Sequence, residues 1–167
     1  MIGTDRLILR PWQLSDAEAL YKYASEPRVS ELAMWPCHTS VEMSRSVIES
    51  FFIPAEHTFA IVLKETQEAI GCIGLVPRGG EHHPTGNNER EAGYWVGMPY
   101  WNMGITTEAL AALIEYCRAH LRLDSLIITT DLRNIASRRV AEKAGFSFIS
   151  YIDVEDIPST LYRLSFK

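Results

Sequence analysis

The sequence has little with which to build a disulfide framework. Its 167 residues hold three cysteines, Cys37, Cys72 and Cys117, odd in number, widely spaced and set among apolar neighbours. That pattern excludes a stapled secreted scaffold and fits reduced, buried thiols of a cytoplasmic protein. Long hydrophobic runs are missing, so no stretch has the length of a membrane span. Thr4-Asp5-Arg6 interrupts the apolar start that a secretory leader would need. An excess of positive charge is missing as well: the formal net charge is −5, which argues against chain-wide attraction to nucleic acid or an anionic membrane and mildly favours a basic acceptor. No repeat and no linker divides the chain, so residues 1–167 read as one domain. Metal-ligand spacing is lacking too. His82-His83 has no further ligands at matching spacing, and Cys37-His38 has no third partner that would make a cysteine nucleophile.

What is present is the make-up of a globular domain, 47% hydrophobic and 22% charged, large enough to bury a core. Arg6-Leu-Ile-Leu-Arg10, bounded by Pro11, reads as a first strand near an edge. Ser15-Asp-Ala-Glu18 has capping-box spacing and predicts a helix through about Ala24. Pro27 permits a second short helical piece, and Thr39-Ser-Val-Glu42 predicts a third helix that stops before Pro54. Phe59–Leu63 and Ala69–Leu75 flank the polar Lys64 to Glu68 and form a hairpin. Arg78 to Asn88, rich in Gly, Pro, His and Asn, is expected as an exposed loop. Ala109, Leu110, Leu113, Ile114, Cys117 and Leu121 recur at helical spacing, and Leu123 to Thr130 is apolar enough for a sheet centre. Ala136 to Ala144 is a short helix closed by Gly145. Phe146–Ile152 and Leu161–Phe166 complete the chain as a pair of strands. The sum is a mixed α/β sheet with helices on both faces.

One stretch carries more than architecture. Ala92 to Leu110 runs as an apolar strand, a break at Gly97 to Pro99, a short loop around Gly104 and the start of a long helix. That order aims the free N–H groups of a helix N-terminus at a spot just past a strand end, which suits a phosphate. A second marker follows, Asn134-Ile-Ala-Ser137 running to Lys143-Ala-Gly-Phe146. Beside it Arg138, Arg139 and Lys143 form a local basic cluster that fits one anionic ligand. Together, in this order, the two markers point to a cofactor-binding enzyme.

These motifs resemble the GNAT acetyltransferase superfamily, and more closely its branch of ribosomal-protein N-terminal acetyltransferases. Thr4 to Pro11 resembles that branch's opening strand, and Glu91-Ala-Gly-Tyr-Trp-Val96 its fourth strand. Thr107-Glu-Ala109 is similar to the start of its signature helix, and Asn134-x-x-Ser137 with Gly145-Phe146 to its later motif. The resemblance covers nearly the whole chain. It implies a mixed, mostly antiparallel α/β (α+β) sheet of about seven strands, splayed between strands four and five, with acetyl-CoA as co-substrate and no metal. The family's cofactor loop, Gln/Arg-x-x-Gly-x-Gly/Ala, falls here on Trp101-Asn-Met-Gly104-Ile-Thr106. Gly104 matches, Trp101 and Thr106 depart, and no basic side chain stands at position 103. The resemblance places the pyrophosphate on Asn102, Met103, Gly104, Ile105, Thr106 and Thr107, held by backbone N–H groups. It places the pantetheine arm against the backbone of Trp95 and Val96, the cofactor's orientation on Asn134, and the adenosine phosphates on Arg139 or Lys143.

Acetyl transfer to an amine needs the amine unprotonated, the thioester carbonyl polarised and the thiolate able to leave. An α-amino group titrates at about 8 and a lysine at about 10.4, so a base helps. Glu91 is the candidate base, on the strand where the family's catalytic carboxylate commonly lies; its other reading is a solvated strand-edge glutamate. A backbone N–H near Val96 would polarise the acetyl oxygen. Many superfamily members place a tyrosine acid four residues before the glycine of Gly-Phe. This chain has Ala141 there, so Ser137 is the next candidate to serve the thiolate, or else it caps a helix. Asn134 orients the cofactor, caps the 136–144 helix, or does both. Glu108 caps or packs in its first helical turn. Trp35, Tyr100 and Trp101 line an acceptor pocket or belong to the core. The resemblance implies an N-acetyltransferase working by direct attack in a ternary complex on a primary amine, favouring a protein or peptide N-terminus. A small-molecule amine acetyltransferase and a catalytically weakened CoA-binding module are the alternatives. Family habit adds a homodimer.

Overall fold

The computed structural model describes residues 1–167. Its strands are β1 (Ile2–Gly3), β2 (Leu7–Pro11), β3 (Thr58–Leu63), β4 (Glu68–Leu75), β5 (Glu89–Val96), β6 (Ser125–Asp131), β7 (Ser147–Val154) and β8 (Ile157–Ser165). They form one sheet in the order β1-β2-β3-β4-β5-β6-β8-β7. The seven expected strands are present. The eighth is the two-residue β1, which pairs with Ile8 and Leu9 and covers part of the edge that β2 would expose. β8 starts earlier than the expected Leu161. Pro158 has no N–H to give, and its carbonyl is used instead, accepting from the Leu132 N–H at 2.9 Å.

Helices α1 (Ala17–Ala24), α2 (Pro27–Ala33) and α3 (Val41–Val47, continued by a π turn over Ile48–Phe52) cover one face; α4 (Ile105–Ala119) and α5 (Ile135–Lys143) cover the other. Alternation along the strands supplies both cores. Ile70, Ile73, Ala92, Val96, Leu126 and Ile128 pack against Ala109, Leu110 and Leu113 of α4 and Ala141 of α5. Ala60, Val62, Ala69 and Cys72 point the other way, against Ala17, Leu20 and Ala24 of α1 and Ile48.

Two helix starts differ from expectation. Asp16, not Ser15, organises the first: its carboxylate accepts the Gln13 N–H at 2.9 Å and two bonds from Arg10 at 2.8 Å. A short 3-10 turn, Leu14–Asp16, therefore precedes α1. Ser40, not Thr39, caps α3, because Ser40 is the last extended residue and its oxygen accepts the Met43 N–H at 3.0 Å. Gly145 sits one residue past the α5 C-cap at φ +99°, where the Phe146 N–H closes on the Ala141 carbonyl at 3.0 Å.

The feature that positions the site is where pairing stops. β5 and β6 run parallel only over Glu89–Glu91 against Ser125–Ile127. Beyond that, β5 keeps its partner β4 through Val96, and β6 keeps β8 through Asp131. The two half-sheets then twist apart, leaving a slot closed at Glu91 and open at Val96. This is the expected splay, between the fourth and fifth of the seven anticipated strands.

Candidate active site

The open end is made by the loop after β5. Gly97 allows the turn because a Cβ there would lie 2.5 Å from the Tyr23 ring. Trp101 folds back and its Nε1–H donates to the Val96 carbonyl at 3.0 Å, tying the loop to the strand end. Asn102 (φ 62°) and Gly104 (φ 75°) are both left-handed, a conformation natural to these two residue types. Gly104 is then the N-cap of α4. Arg6 fixes the loop from outside, donating to the Met103 carbonyl at 2.9 Å and, through Nε, to Glu108 Oε1 at 2.9 Å. Glu108 also takes the Thr4 hydroxyl at 2.6 Å and the Arg6 N–H at 3.0 Å, so it anchors α4 to the first strands.

A cleft of about 560 Å³ opens along the slot. Its walls include Tyr94, Trp95 and Val96 of β5, Tyr100, Trp101, Asn102, Gly104, Ile105, Thr106 and Thr107 of the loop and α4, and Asn134, Ser137, Arg139 and Lys143 around α5. Helix α2 closes it from the other face with Arg28, Val29, Leu32 and Ala33, and Arg133 completes the rim. The N-termini of α4 and α5 both open on this space. Its charged lining is Arg28, Arg133, Arg139 and Lys143, with no aspartate, glutamate or histidine. Arg28 is paired with Glu26 and Arg133 with Asp131. The local charge of the cleft lining is thus opposite in sign to the chain's net −5.

The backbone direction of β5 corrects one assignment. The Gly97 N–H bonds the Ile70 carbonyl, and the Glu91 carbonyl accepts from Val76. Odd-numbered residues of the strand therefore turn their polar groups to β4, and Trp95 pairs with Cys72. Beyond the last β6 pair, Tyr94 and Val96 face the slot with their backbone. Trp95 is part of the cleft lining, but its backbone N–H and carbonyl are turned to β4. Met103 stands outside the cleft lining with its side chain half exposed, and its carbonyl is taken by Arg6.

Asn134 accepts the Ser137 N–H at 3.1 Å, so it is the N-cap of α5 as well as a cleft residue. Arg138 turns away toward the Tyr162 hydroxyl at 3.4 Å, whereas Arg139 and Lys143 face the cleft. At Ala141, fully buried in the core, no phenol is available. One arrives from β5 instead. The Tyr94 hydroxyl accepts from Ser137 Oγ at 3.2 Å and donates to the Ser137 carbonyl at 3.0 Å, while burial pushes it up to about 12. Trp35 stands behind the wall, with its ring centroid 5.2 Å from that of Trp95.

Glu91 lies outside the cleft lining, at the closed end of the slot. It is 2% exposed, so it is no solvated edge residue. Oε1 accepts the His82 N–H at 2.8 Å, and Oε2 takes His82 Nδ1 at 2.7 Å and Thr129 Oγ1 at 2.9 Å. The 78–88 loop is exposed as expected, yet it folds back, with Arg78 donating to Thr85, Gly86 and Asn87. Cys37 and His38 form no dyad. His38 Nδ1 contacts Ser44 Oγ at 2.7 Å, and Cys37 donates to the Ser25 carbonyl at 3.1 Å.

Such a cleft, with cations and two helix N-termini at its mouth and a strand inward, suits an anionic ligand that extends along β5. The family described as acetyltransferase (GNAT) domain matches residues 6–147, and the chain belongs to it. The protein is 30% identical over 147 residues to an uncharacterized N-acetyltransferase p20 of Bacillus licheniformis, with 86% of this chain and 80% of that one covered. A GNAT-family acetyltransferase from Bacillus anthracis has the same fold, with TM-score 0.82, 24% identity and coverage of 98% and 97%. A candidate ribosomal-protein-serine acetyltransferase from Vibrio cholerae matches with TM-score 0.79, 26% identity and coverage of 98% and 96%. The activity is acetyl transfer from acetyl-CoA. No helix of the chain is long and apolar enough to cross a membrane.

Proposed function

We propose that residues 1–167 act as one acetyltransferase domain whose acceptor is the N-terminal amine of a protein or peptide, attacking the thioester directly while both substrates are bound. The carrying observation is the charge of the cleft: Arg28 and Arg133 are ion-paired, which leaves Arg139 and Lys143 as its unpaired charges, and no carboxylate lines it. A polyamine or aminoglycoside would find no carboxylate in that lining for its several positive charges; a chain end brings one charge. Likeness to the Vibrio cholerae protein, described as acting on a ribosomal protein, supports the same acceptor class. Three free cysteines fit a reducing, cytoplasmic setting.

The acetyl-CoA pyrophosphate would rest on the N–H groups of Gly104 to Thr107, with Arg139 and Lys143 at the adenosine phosphates and Arg28 and Arg133 across the cleft. Val96 and Tyr94 would pair with the pantetheine arm, and the deeper Tyr94 N–H would face the acetyl oxygen. Ser137 would serve the departing sulfur by turning toward it the hydroxyl hydrogen that it otherwise gives to the Tyr94 oxygen. Asn134 orients this corner through its hold on the Ser137 N–H.

The test is a panel of short peptides, amino acids, polyamines and aminoglycosides, with release of free CoA as readout. Peptide amines should exceed the polycations by at least about tenfold in kcat/KM. Preference for a polyamine or aminoglycoside would overturn the acceptor assignment. Binding of acetyl-CoA by calorimetry without turnover on any acceptor would make the protein a CoA-binding module instead.

A further inference from the structure

The cleft holds no side chain suited to take a proton from an amine near neutral pH. Its titratable lining consists of four cations with Tyr94 and Tyr100, and Tyr94 is pushed up to about 12 by burial. The closed end of the slot does hold an acid–base pair. Glu91 receives three donors there: the His82 N–H, the His82 ring and the Thr129 hydroxyl. An ionised carboxylate only accepts, so the ring nitrogen 2.7 Å away, Nδ1, carries the hydrogen. The neutral ring then keeps its lone pair on Nε2, which has no partner within the protein. The His82 side chain is 41% exposed, against 3% for Glu91.

The face of β5 that carries this pair leads to the cleft. Glu91, Gly93 and Trp95 share that face, and Trp95 is part of the cleft lining. Between them a Cβ at Gly93 would meet only Val76 Cγ2, at 3.9 Å. A thioester carried inward from the α4 N-terminus along Val96 and Tyr94 travels toward this end, because the slot closes at Glu91.

We infer that His82 is the base that deprotonates the acceptor amine, directly or through one water, and that Glu91 is the positioning residue that orients its ring; this rests on the acetyl-transfer reading of the cleft. Glu91 has its lone pairs engaged by donors, whereas His82 Nε2 is free. In the step, Nε2 takes one proton from the acceptor ammonium, and the freed nitrogen pair forms the bond to the acetyl carbon. The carbon–sulfur bond breaks with its electrons on sulfur. The second proton leaving nitrogen ends on the thiolate, giving amide and free CoA, and His82 returns its proton to solvent. The charged groups facing the ring are both anionic: Glu91 on β5 beneath it and Glu155 in the β7–β8 turn. The hydrogen bond to Glu91 raises His82 above its ordinary value and so strengthens it as a base.

His82→Asn keeps a donor for Glu91 and removes the basic nitrogen. Its kcat/KM for a peptide amine should fall about 100-fold at pH 7, while the acetyl-CoA dissociation constant by calorimetry stays unchanged. The acid limb of its pH profile should move up to the amine's own titration, with the rate recovering above it. Glu91→Gln should instead move that limb down. Histidine NMR needs no acceptor: His82 should titrate above 6.5 as the Nδ1–H tautomer, and lower in Glu91→Gln. An unchanged rate profile in His82→Asn, or an Nε2–H tautomer in the wild type, would overturn the assignment. Failure of the wild type to bind acetyl-CoA would strike the reading of the cleft itself, and calorimetry separates the two.

Discussion

At its open end the slot between β5 and β6 is built from backbone; at its closed end it is built from side chains. The mouth offers amides of α4, a left-handed pair at Asn102 and Gly104, and cations on flexible stems. The closed end offers one carboxylate gripped from a loop and from β6, each contact between 2.7 and 2.9 Å. The difference teaches what each can tolerate. A backbone cradle survives changes of side chain, and so Met103 in place of a basic residue leaves the loop's path intact, set by Arg6 on its carbonyl and by two left-handed residues. A side-chain site has no such latitude, since removing one partner leaves a buried polar atom unpaired.

The comparison breaks first at Gly104. Gly104→Val puts a β-branched residue at φ 75°, which costs roughly 1–2 kcal/mol and adds bulk where a phosphate must approach. Acetyl-CoA binding by calorimetry should weaken about 30-fold; a change below about threefold would mean that the loop is not the phosphate cradle. Midway along the slot, Ser137→Ala should lower kcat about three- to tenfold and leave that dissociation constant alone. The effect stays modest because a thiol near 8.5 is a fair leaving group unaided. If kcat is unchanged, the serine only structures the start of α5.

The smallest effect belongs to stability at the closed end. Glu91 raises His82 in the folded protein, so their mutual stabilisation is fully present below about pH 6.5 and fades as pH rises through the raised value. The half-exposed ring limits this to about 1 kcal/mol, or roughly 2–4 °C. The melting-temperature gap between wild type and Glu91→Gln should therefore be wider at pH 6 than at pH 9. A gap that widens toward high pH would show that the pair is not an ion pair in the fold.

These two ends also differ in how far they could be read from the chain. The strand, loop and helix from Ala92 to Leu110 are consecutive, so phosphate-facing amides follow from local order. Asn134 capping Ser137 spans three residues and was legible for the same reason. His82 was set aside because no metal-ligand spacing surrounds it; its partner Glu91 is reached only when the 78–88 loop folds back. Tyr94 meets Ser137 across 43 positions of sequence, and no periodicity relates a strand residue to the first turn of a later helix. Arg28 was equally hidden, since its place in the cleft depends on α2 lying over the parted strands. Ser15 and Thr39 were misread within their own helices, where cap identity turns on which residue is the last extended one.

Local sequence determined the strands, the helices, the left-handed Gly104 and the amides at the mouth of the cleft, because alternation, caps and positive φ are properties of a few neighbouring residues. Tertiary structure alone decided that β5 and β6 part after Glu91, that Trp95 turns its backbone away while Tyr94 faces the slot, and that Glu91 pairs with His82. Those outcomes depend on which strands share a ladder and where the sharing ends. That is settled by the packing of two half-sheets against five helices, and by no single segment.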